Sequence, residues 1–451
     1  DGKATPNPDF LTKLEAAEVS DKTVVTVAVN EKATWGNGRK WDSEDIKAFF
    51  DHVKDSSYSW ASVEGLAKVT FNSVYPDWSY ALSGITPREL MADAKTFNES
   101  MAGATKFNND YFAGPFKIKS YDESKQVITL ERNDKWWGAA PKLETVTLHV
   151  LDDSAMGQAF ANKEIDVLDY IFSADVYQQA VGRDDVEVRQ NTGLEWRHIM
   201  FNASSGPLAD KAVRQAITRA CNREAIAASD LAGLPVDAKK TLLGNRFFLP
   251  VQEGYQDNST SWGYDVEAAK KLLDGAGWVA GSDGVRAKDG KKLELVMTIP
   301  SNAPVATNEA NLLQKQLNEV GIKLSVSTVE IDKYFPEYIN KKNYALTAFT
   351  SEKTQYPLSN AGQYYASTSQ SNYTGLSVPE VDQYVAKIGS TPDGAERNKL
   401  ANELDKVLWE NVSSTPISQR MQLTAVPKTL RNFGAQGLAS FRPESIGYVK
   451  S

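Results

Sequence analysis

The residues that most often carry out chemistry in proteins are few and widely separated in this sequence. Its three histidines are His52, His149 and His198, and its single cysteine is Cys221. No pair of histidines has the HExxH spacing of a zinc site, and one cysteine cannot form an internal disulfide. The sequence also contains neither a GxxxxGK(S/T) phosphate loop nor a GxSxG nucleophile elbow. These observations predict a protein without a bound metal, without another cofactor and without catalytic residues.

Adjacent acidic residues are the remaining candidates for acid–base chemistry. Two such pairs are Asp152 with Asp153 and Asp184 with Asp185. A carboxylate becomes a useful general acid or base where burial or a neighbouring charge shifts its pKa. Because adjacent acids in loops are usually solvated, we interpret both pairs as surface residues.

Composition and charge limit the possible partners. The chain has 451 residues, is 41% hydrophobic and carries a formal net charge of −8 without a cluster of basic residues. This charge argues against nucleic acid or an anionic membrane surface as the main partner. No apolar run approaches the about 18 residues that a membrane-spanning helix needs. The length predicts two or three domains.

Regular spacing of apolar residues predicts alternating strands and helices. A strand is predicted at 293–300, a helix capped by Thr307 follows, Gly321 ends that helix, and a second strand occupies 322–329. This order predicts parallel strands joined by a right-handed crossover. The loop at 301–306 would then lie at the carboxyl end of a strand, where open α/β sheets bind ligands. Three further elements are predicted: a strand at 23–29, a helix beginning at 42–45 and a helix at 265–276.

A β-hairpin ending in two tryptophans is predicted between Tyr111 and Gly138. Its strands alternate apolar and polar residues, and the polar segment 122–125 forms the turn. Trp136 and Trp137 follow the second strand. We interpret these tryptophans as packing between elements, and ligand stacking by either of them is the alternative.

Six segments, in order along the chain, resemble the family 5 solute-binding proteins of bacterial ABC importers, which include dipeptide- and oligopeptide-binding proteins. They are ATWGNGRKWDSEDIKAFF (33–50), YFAGPFKI (111–118), LERNDKWWG (130–138), QAFANKEIDV (158–167), FNASSGPLADKAVRQAITRACNREAI (201–226) and GYDVEAAKKLLDGAGW (263–278). Asn222 stands where the family usually has aspartate before Arg223. The segments PNPDFL and GPFKI are similar to the actinobacterial branch.

The resemblance implies an α/β protein with a two-lobed type II periplasmic-binding-protein-like fold and an extra subdomain in the first lobe. Carried onto this sequence, the extra subdomain spans 1–111 and lobe one spans 112–202. Lobe one would be completed by 425–451 and by an N-terminal part that precedes this sequence, and lobe two would span 203–424. The family binds its ligand between the lobes, and closure excludes water.

The resemblance also implies a set of ligand-binding residues in LTAFTSEKTQYP (346–357). In peptide-binding relatives, an acidic residue after an aromatic-rich strand pairs with the amino terminus of the ligand. Glu352 aligns with this acidic residue, Phe349 stands where relatives often have tryptophan, and Thr350 and Ser351 lie between them. Lys353 either neutralises Glu352 or binds a ligand carboxylate, and a solvated Glu–Lys pair in a loop is the alternative.

Aromatic contacts are implied at a second segment, LEWRHIMFN. Here Trp196 and His198 correspond to positions where relatives place aromatic side chains against the ligand. Packing within the core is the alternative for both.

The function implied by the resemblance is that of the solute-binding component of an ABC importer, which is not an enzyme. It would capture a peptide or other small solute and deliver it to permease subunits in the membrane. Ten tryptophans and eighteen tyrosines would also suit an oligosaccharide. A hydrolase or transferase, or a non-transport adaptor of the cell envelope, is a further alternative. Nickel is the least expected ligand, because the three histidines are scattered.

The resemblance implies a location as well. We expect a monomer at the extracellular face of the cell membrane, attached by a lipid through a segment that precedes this sequence, or a periplasmic protein if the source is Gram-negative.

Overall fold

The computed structural model describes residues 5–53, 62–64, 68–102 and 108–449, which divide into two compact units. The N-terminal unit contains the described residues of 5–190 and 423–449, and the middle unit contains 191–422. The chain passes from one unit to the other within two long strands, Val186–Phe201 and Ser414–Pro427. The division at 111, 202 and 425 that the family architecture implies stays a prediction.

The N-terminal unit begins with an antiparallel sheet. Its strands are β1 (Leu11–Val19), β2 (Lys22–Val29), β3 (Ser62–Glu64) and β4 (Lys68–Thr70), in the order β1-β2-β4-β3. Three helices accompany it, namely α1 (Ser43–Val53), α2 (Trp78–Ala81) and α3 (Ala94–Ala102). Ile46 and Phe50 of α1 pack with Val25 and Val27 of β2 in one apolar cluster. The predicted strand at 23–29 and the helix beginning at 42–45 are therefore confirmed.

The predicted hairpin is also confirmed. It consists of β5 (Phe116–Asp122) and β6 (Val127–Arg132), and β7 (Thr145–His149) extends it to three antiparallel strands. Trp136 and Trp137 lie 4.5 Å apart between ring centroids, and the ring of Phe10 lies within 5.9 Å of both. The indole of Trp137 donates to the carbonyl oxygen of Asp9 over 2.6 Å. These contacts agree with packing between elements.

The remaining elements follow in chain order. Two helices and a long strand complete the first pass through the N-terminal unit: α4 (Asp153–Ala161), α5 (Ala174–Val181) and β8 (Val186–Phe201). The first half of the middle unit then contains α6 (Lys211–Ala220), α7 (Arg223–Asp230), α8 (Ala238–Thr241), α9 (Val266–Gly275), β9 (Val279–Ala280), β10 (Arg286–Lys288), β11 (Lys291–Lys292), β12 (Glu294–Pro300) and α10 (Pro304–Asn318). Its second half contains β13 (Lys323–Val329), α11 (Ile331–Lys333), a π-helix (Tyr334–Ile339), β14 (Leu346–Glu352), α12 (Ala361–Tyr365), α13 (Pro379–Ser390), α14 (Gly394–Asn411) and β15 (Ser414–Pro427). The short pair β16 (Leu430–Arg431) and β17 (Gly447–Tyr448) belongs to the N-terminal unit.

A five-stranded sheet organises the middle unit. Its order is β13-β12-β14-β8-β15, with β12 parallel to β13 and β14 antiparallel to β8. The predicted parallel βαβ unit is therefore confirmed. The helix of this unit, α10, begins at Pro304, before the predicted cap Thr307. Proline suits the first turn of a helix, where its missing N–H is not needed. Gly321 follows the helix with φ of +80°, a left-handed conformation that glycine adopts without strain.

One face of this sheet is covered by helices. Ile199 and Phe201 of β8 and Leu346 and Ala348 of β14 pack into an apolar core with residues of α6, α7, α9 and α10. Cys221 lies in the same core, as its apolar neighbours predict. Because side chains alternate across a strand, the residues between these core positions face the other side of the sheet.

In the described part of the chain, no helix combines the length and the apolar character required to cross a membrane.

A buried carboxylate holds the start of α1. Asp45 has a completely buried side chain and accepts hydrogen bonds from the indole of Trp35 and the guanidinium of Arg39. It also accepts from the backbone N–H of Arg88 over 3.0 Å. Burial by itself raises the pKa of Asp45, but these hydrogen bonds outweigh it and lower the pKa below 3.8.

We predict that Asp45→Asn destabilises the protein by about 2 kcal/mol, the size of a buried hydrogen bond to a charged group, because the Arg39 guanidinium loses the Asp45 carboxylate and keeps Glu89. Since the folded-state pKa of Asp45 is lowered, its contribution is present above the unfolded value and disappears as the pH falls through the folded value. Urea denaturation at neutral and acidic pH measures both effects. Asp51→Asn is the matched control, because Asp51 pairs with Lys47 at the exposed surface of the same helix. Equal losses in the two variants would contradict the prediction.

Candidate functional site

A pocket of about 370 Å³ lies in the middle unit, on the face of the sheet opposite the helical core. All seven residues named from the sequence line it: Trp196, His198, Phe349, Thr350, Ser351, Glu352 and Lys353. The remaining walls come from the π-helix, the segment 356–365 with α12, and residues near 246, 373 and 414. By contrast, the loop at 301–306, predicted as a ligand-binding position, is not part of the lining, and neither are Trp136 and Trp137.

The pairing of β8 with β14 determines which of these side chains meet. His198 lies opposite Phe349 and Trp196 lies opposite Ser351, while Arg197 lies opposite Thr350. Residues directly opposite each other in an antiparallel pair share a face. The first two pairs are therefore on the pocket face, and Thr350 directs its hydroxyl to the helical face.

Aromatic rings form a continuous row on the pocket face. The ring centroids of Trp196 and His198 are 4.4 Å apart, and those of His198 and Phe349 are 4.8 Å apart. Phe349 in turn lies 5.4 Å from Phe335 of the π-helix, whose side chain is 42% exposed. Such a row offers apolar ring faces and edges to a ligand.

His198 is buried and neutral within this row. Its Nε2 forms a hydrogen bond of 2.8 Å with the hydroxyl of Ser351, and its Nδ1 has no hydrogen-bond partner among the described residues. Burial, followed by the charges of Arg197, Arg246 and Lys353, lowers the pKa of His198 to about 3. The imidazole therefore adds no positive charge to the pocket at physiological pH.

Lys353 is a buried cation at one end of the row. Its residue is only 5% exposed, its ammonium lies 5.0 Å from the centre of the Trp196 ring, and Nζ donates to the carbonyl oxygen of Asn245 over 3.2 Å. Burial lowers the pKa of Lys353 to about 7, although Asp405 acts in the opposite direction. The alternative of a solvated Glu–Lys pair is therefore wrong, because Lys353 is buried at the end of a strand.

Glu352 has a different environment from its neighbour. Its side chain is exposed, and it lies opposite Glu195 in the register of the two strands. Among the described residues, no ion pair joins Glu352 to Lys353, whose ammonium bonds to Asn245 instead. Glu352 is thus an exposed carboxylate at the edge of the pocket.

Two buried ion pairs hold the pocket walls in place. Arg246 donates to Asp405 over 3.0 Å, both side chains are fully buried, and the Arg246 guanidinium lies 4.3 Å from the centre of the Trp409 ring. On the helical face, Arg197 donates to Glu309 over 2.8 Å and to the hydroxyl of Thr350 over 3.0 Å. Burial, with the carboxylate of Glu309, raises the pKa of nearby Asp230.

The sequence interpretation did not include Arg246 and Asp405. A signal for both was nevertheless present. Arg246 stands beside the apolar run Phe247–Leu249, and Asp405 shares the helical spacing of the apolar residues Ala401, Leu404 and Leu408. A single charge on an otherwise apolar face predicts a buried and paired group.

Comparison with known proteins identifies the family. The model of the bacterial extracellular solute-binding proteins, family 5 (middle region), matches residues 5–375. The oligopeptide-binding protein OppA of Mycobacterium tuberculosis is 31% identical over 470 aligned residues, which cover 100% of this chain and 78% of that protein.

Solved structures show the same fold. A periplasmic EDTA-binding protein, EppA, is similar with a TM-score of 0.86 and 22% identity, covering 99% of this chain and 88% of that one. The oligopeptide-binding protein AppA of Bacillus subtilis, solved with a nonapeptide, gives a TM-score of 0.77 and 20% identity, covering 98% and 90% of the two chains. The predicted α/β, two-lobed periplasmic-binding fold is therefore confirmed. Since the family model spans most of the sequence and OppA aligns with all of it, this chain belongs to the bacterial extracellular solute-binding proteins of family 5.

Proposed function

We propose that this protein is the solute-binding component of an ABC importer and that it captures a peptide. The observation that supports the peptide most directly is the pocket itself. The segment 349–353, identified by resemblance to peptide-binding relatives, lines it together with Trp196 and His198. The relative aligned with the whole chain is named an oligopeptide-binding protein.

The chemistry of the pocket suits a peptide. It combines an aromatic row with a small number of polar groups, which is typical of sites that bind small organic ligands. The exposed carboxylate of Glu352 offers an acceptor for a ligand amine, and the rings of Phe349 and Phe335 offer an apolar surface to side chains. Delivery to permease subunits, a monomeric state and attachment by a lipid to the extracellular face of the cell membrane are parts of the same proposal.

Mass spectrometry of ligand released by denaturing the purified protein tests the proposed cargo. Binding of a peptide mixture, an oligosaccharide mixture and a nickel–histidine complex should then be measured by calorimetry under identical conditions. We expect peptides to be released and to bind. Saturable binding of the oligosaccharides without peptide binding would favour the sugar-binding alternative instead.

We predict that bound peptides are not turned over. The described residues of the pocket include no nucleophile paired with a base of suitable pKa, since the His198 imidazole bonds to Ser351 and has its pKa lowered to about 3. Incubation with a peptide library, followed by mass spectrometry, should show the peptides intact. Product in excess of the protein concentration would overturn this prediction.

We predict that Glu352 pairs with the amino terminus of the peptide. Glu352→Gln keeps the shape of the side chain and removes its charge, so it should weaken binding by about two- to fivefold, a modest effect because this exposed carboxylate is screened by water. N-acetylation of the peptide should weaken binding to the wild type by a similar factor.

A direct pair requires the two changes to be non-additive, so the acetylated peptide should bind the variant as well as it binds the wild type. Glu253→Gln is the matched control, because Glu253 is an exposed glutamate of the same unit outside the pocket lining. Full additivity of variant and acetylation would show that Glu352 does not contact the amine.

A further inference from the structure

The lysine at the end of the aromatic row has N–H donors without a partner among the described residues. An ammonium group has three N–H donors, and Lys353 directs one of them to the carbonyl oxygen of Asn245. The face of Trp196 provides a cation–π contact, which stabilises positive charge without accepting a conventional hydrogen bond. No carboxylate of the described residues lies within ion-pair distance of the ammonium.

The acids near Lys353 are engaged elsewhere or form no ion pair with it among the described residues. Asp405 accepts from Arg246 over 3.0 Å and from Asn258 over 2.9 Å. Glu352 lies at the exposed edge of the pocket, and no ion pair joins it to Lys353. Within the described residues, the pocket therefore contains a buried ammonium without a carboxylate partner, and such a charge is costly unless a partner arrives or its proton leaves.

The opposite end of the row has a contrasting character. Phe349 and Phe335 meet there, and Phe335 is substantially exposed. A ligand lying along the row would meet apolar rings at one end and the ammonium of Lys353 at the other. The row therefore has an apolar end and an end beside the ammonium of Lys353.

We propose that Lys353 is a specificity-determining residue that binds a carboxylate of the ligand, and that the preferred cargo is an acidic peptide. This inference rests on the proposed peptide-binding function and adds to it the chemical class of the cargo. The carboxylate takes up the ammonium donors that the protein leaves unpaired, while the adjoining part of the ligand lies on Trp196. A carboxylate of an acidic side chain and that of the peptide C terminus have the same chemistry, so the test separates them.

The test uses pentapeptides of alanine and phenylalanine in which one glutamate or glutamine occupies each position in turn, with a free or an amidated C terminus. We expect one glutamate position, or the free C terminus, to bind the wild type on the order of tenfold more tightly than its uncharged counterpart. Lys353→Met keeps an apolar stem of similar length over Trp196 and should abolish this preference. Lys271→Met, an exposed lysine of α9 outside the pocket, is the matched control and should keep it.

Proton uptake on peptide binding distinguishes a lysine that contacts the ligand from one that only stabilises the fold. Burial lowers the pKa of Lys353 to about 7, so near pH 8 most of the free protein carries a neutral amine. A bound carboxylate favours the ammonium, and calorimetry in buffers of different ionisation enthalpy should detect close to one proton taken up with the acidic peptide. The measured proton is assigned to Lys353 only if the other charged and titratable groups around it keep their protonation states when the peptide binds. These groups are Arg246, Asp405, His198, Glu352, Tyr356 and Tyr365.

The outcomes separate the inference from the function on which it rests. If no glutamate position and no free C terminus binds the folded wild type more tightly than its uncharged counterpart, peptide binding stands and the inference is overturned. If peptides fail to bind while an anionic EDTA complex binds with a dependence on Lys353, the carboxylate site stands and the peptide function fails. Lys353→Gln is a second variant, and thermal unfolding of Lys353→Met and Lys353→Gln shows whether each is folded. A folded variant that still prefers the carboxylate peptide contradicts the inference.

Discussion

The register between β8 and β14 is the constraint on which the candidate site depends. It contains seven residue pairs, from Leu346 with Phe201 to Glu352 with Glu195. The strand period of two then assigns every side chain to one face of the sheet. Trp196, His198, Phe349 and Ser351 face the pocket as a result, and Ile199 and Ala348 enter the helical core. A slip of one residue would move the aromatic row into the core and core residues into the pocket, so burial of the core also fixes the chemistry of the site.

Buried charges complete this arrangement because each arginine near the pocket has a partner. Arg197 is held by Glu309 on the helical face, and Arg246 is held by Asp405 beside the pocket. Each pair joins elements that are distant in the sequence, and the loss of one partner would leave an uncompensated charge. Lys353 differs from these arginines, since its partners are a carbonyl oxygen and an aromatic face. Among the described residues of the pocket, Lys353 is therefore a cation without a carboxylate partner.

Membership of a solute-binding family agrees with these physical features. A pocket that binds a small ligand is mostly apolar and has a few well-positioned polar groups. In the candidate site, burial lowers the pKa of His198, and its ring packs between Trp196 and Phe349. Its Nε2 forms a hydrogen bond with the hydroxyl of Ser351. The imidazole is thus a neutral ring within the aromatic row.

The sequence by itself determined the family, the α/β class and the local elements, because these depend on short-range patterns. Period-two alternation predicted β2 and the hairpin of β5 and β6, and the βαβ order of β12, α10 and β13 predicted the parallel pair. Resemblance also selected Trp196, His198 and 349–353, which line one pocket although about 150 residues separate the two segments. The tertiary structure alone decided the different environments of Glu352 and Lys353, because Lys353 is buried against Trp196 and Asn245 while Glu352 stays exposed at the edge of the pocket. It also decided the pairing of Arg246 with Asp405, because a contact between residues 159 positions apart depends on how α14 packs against the rest of the unit.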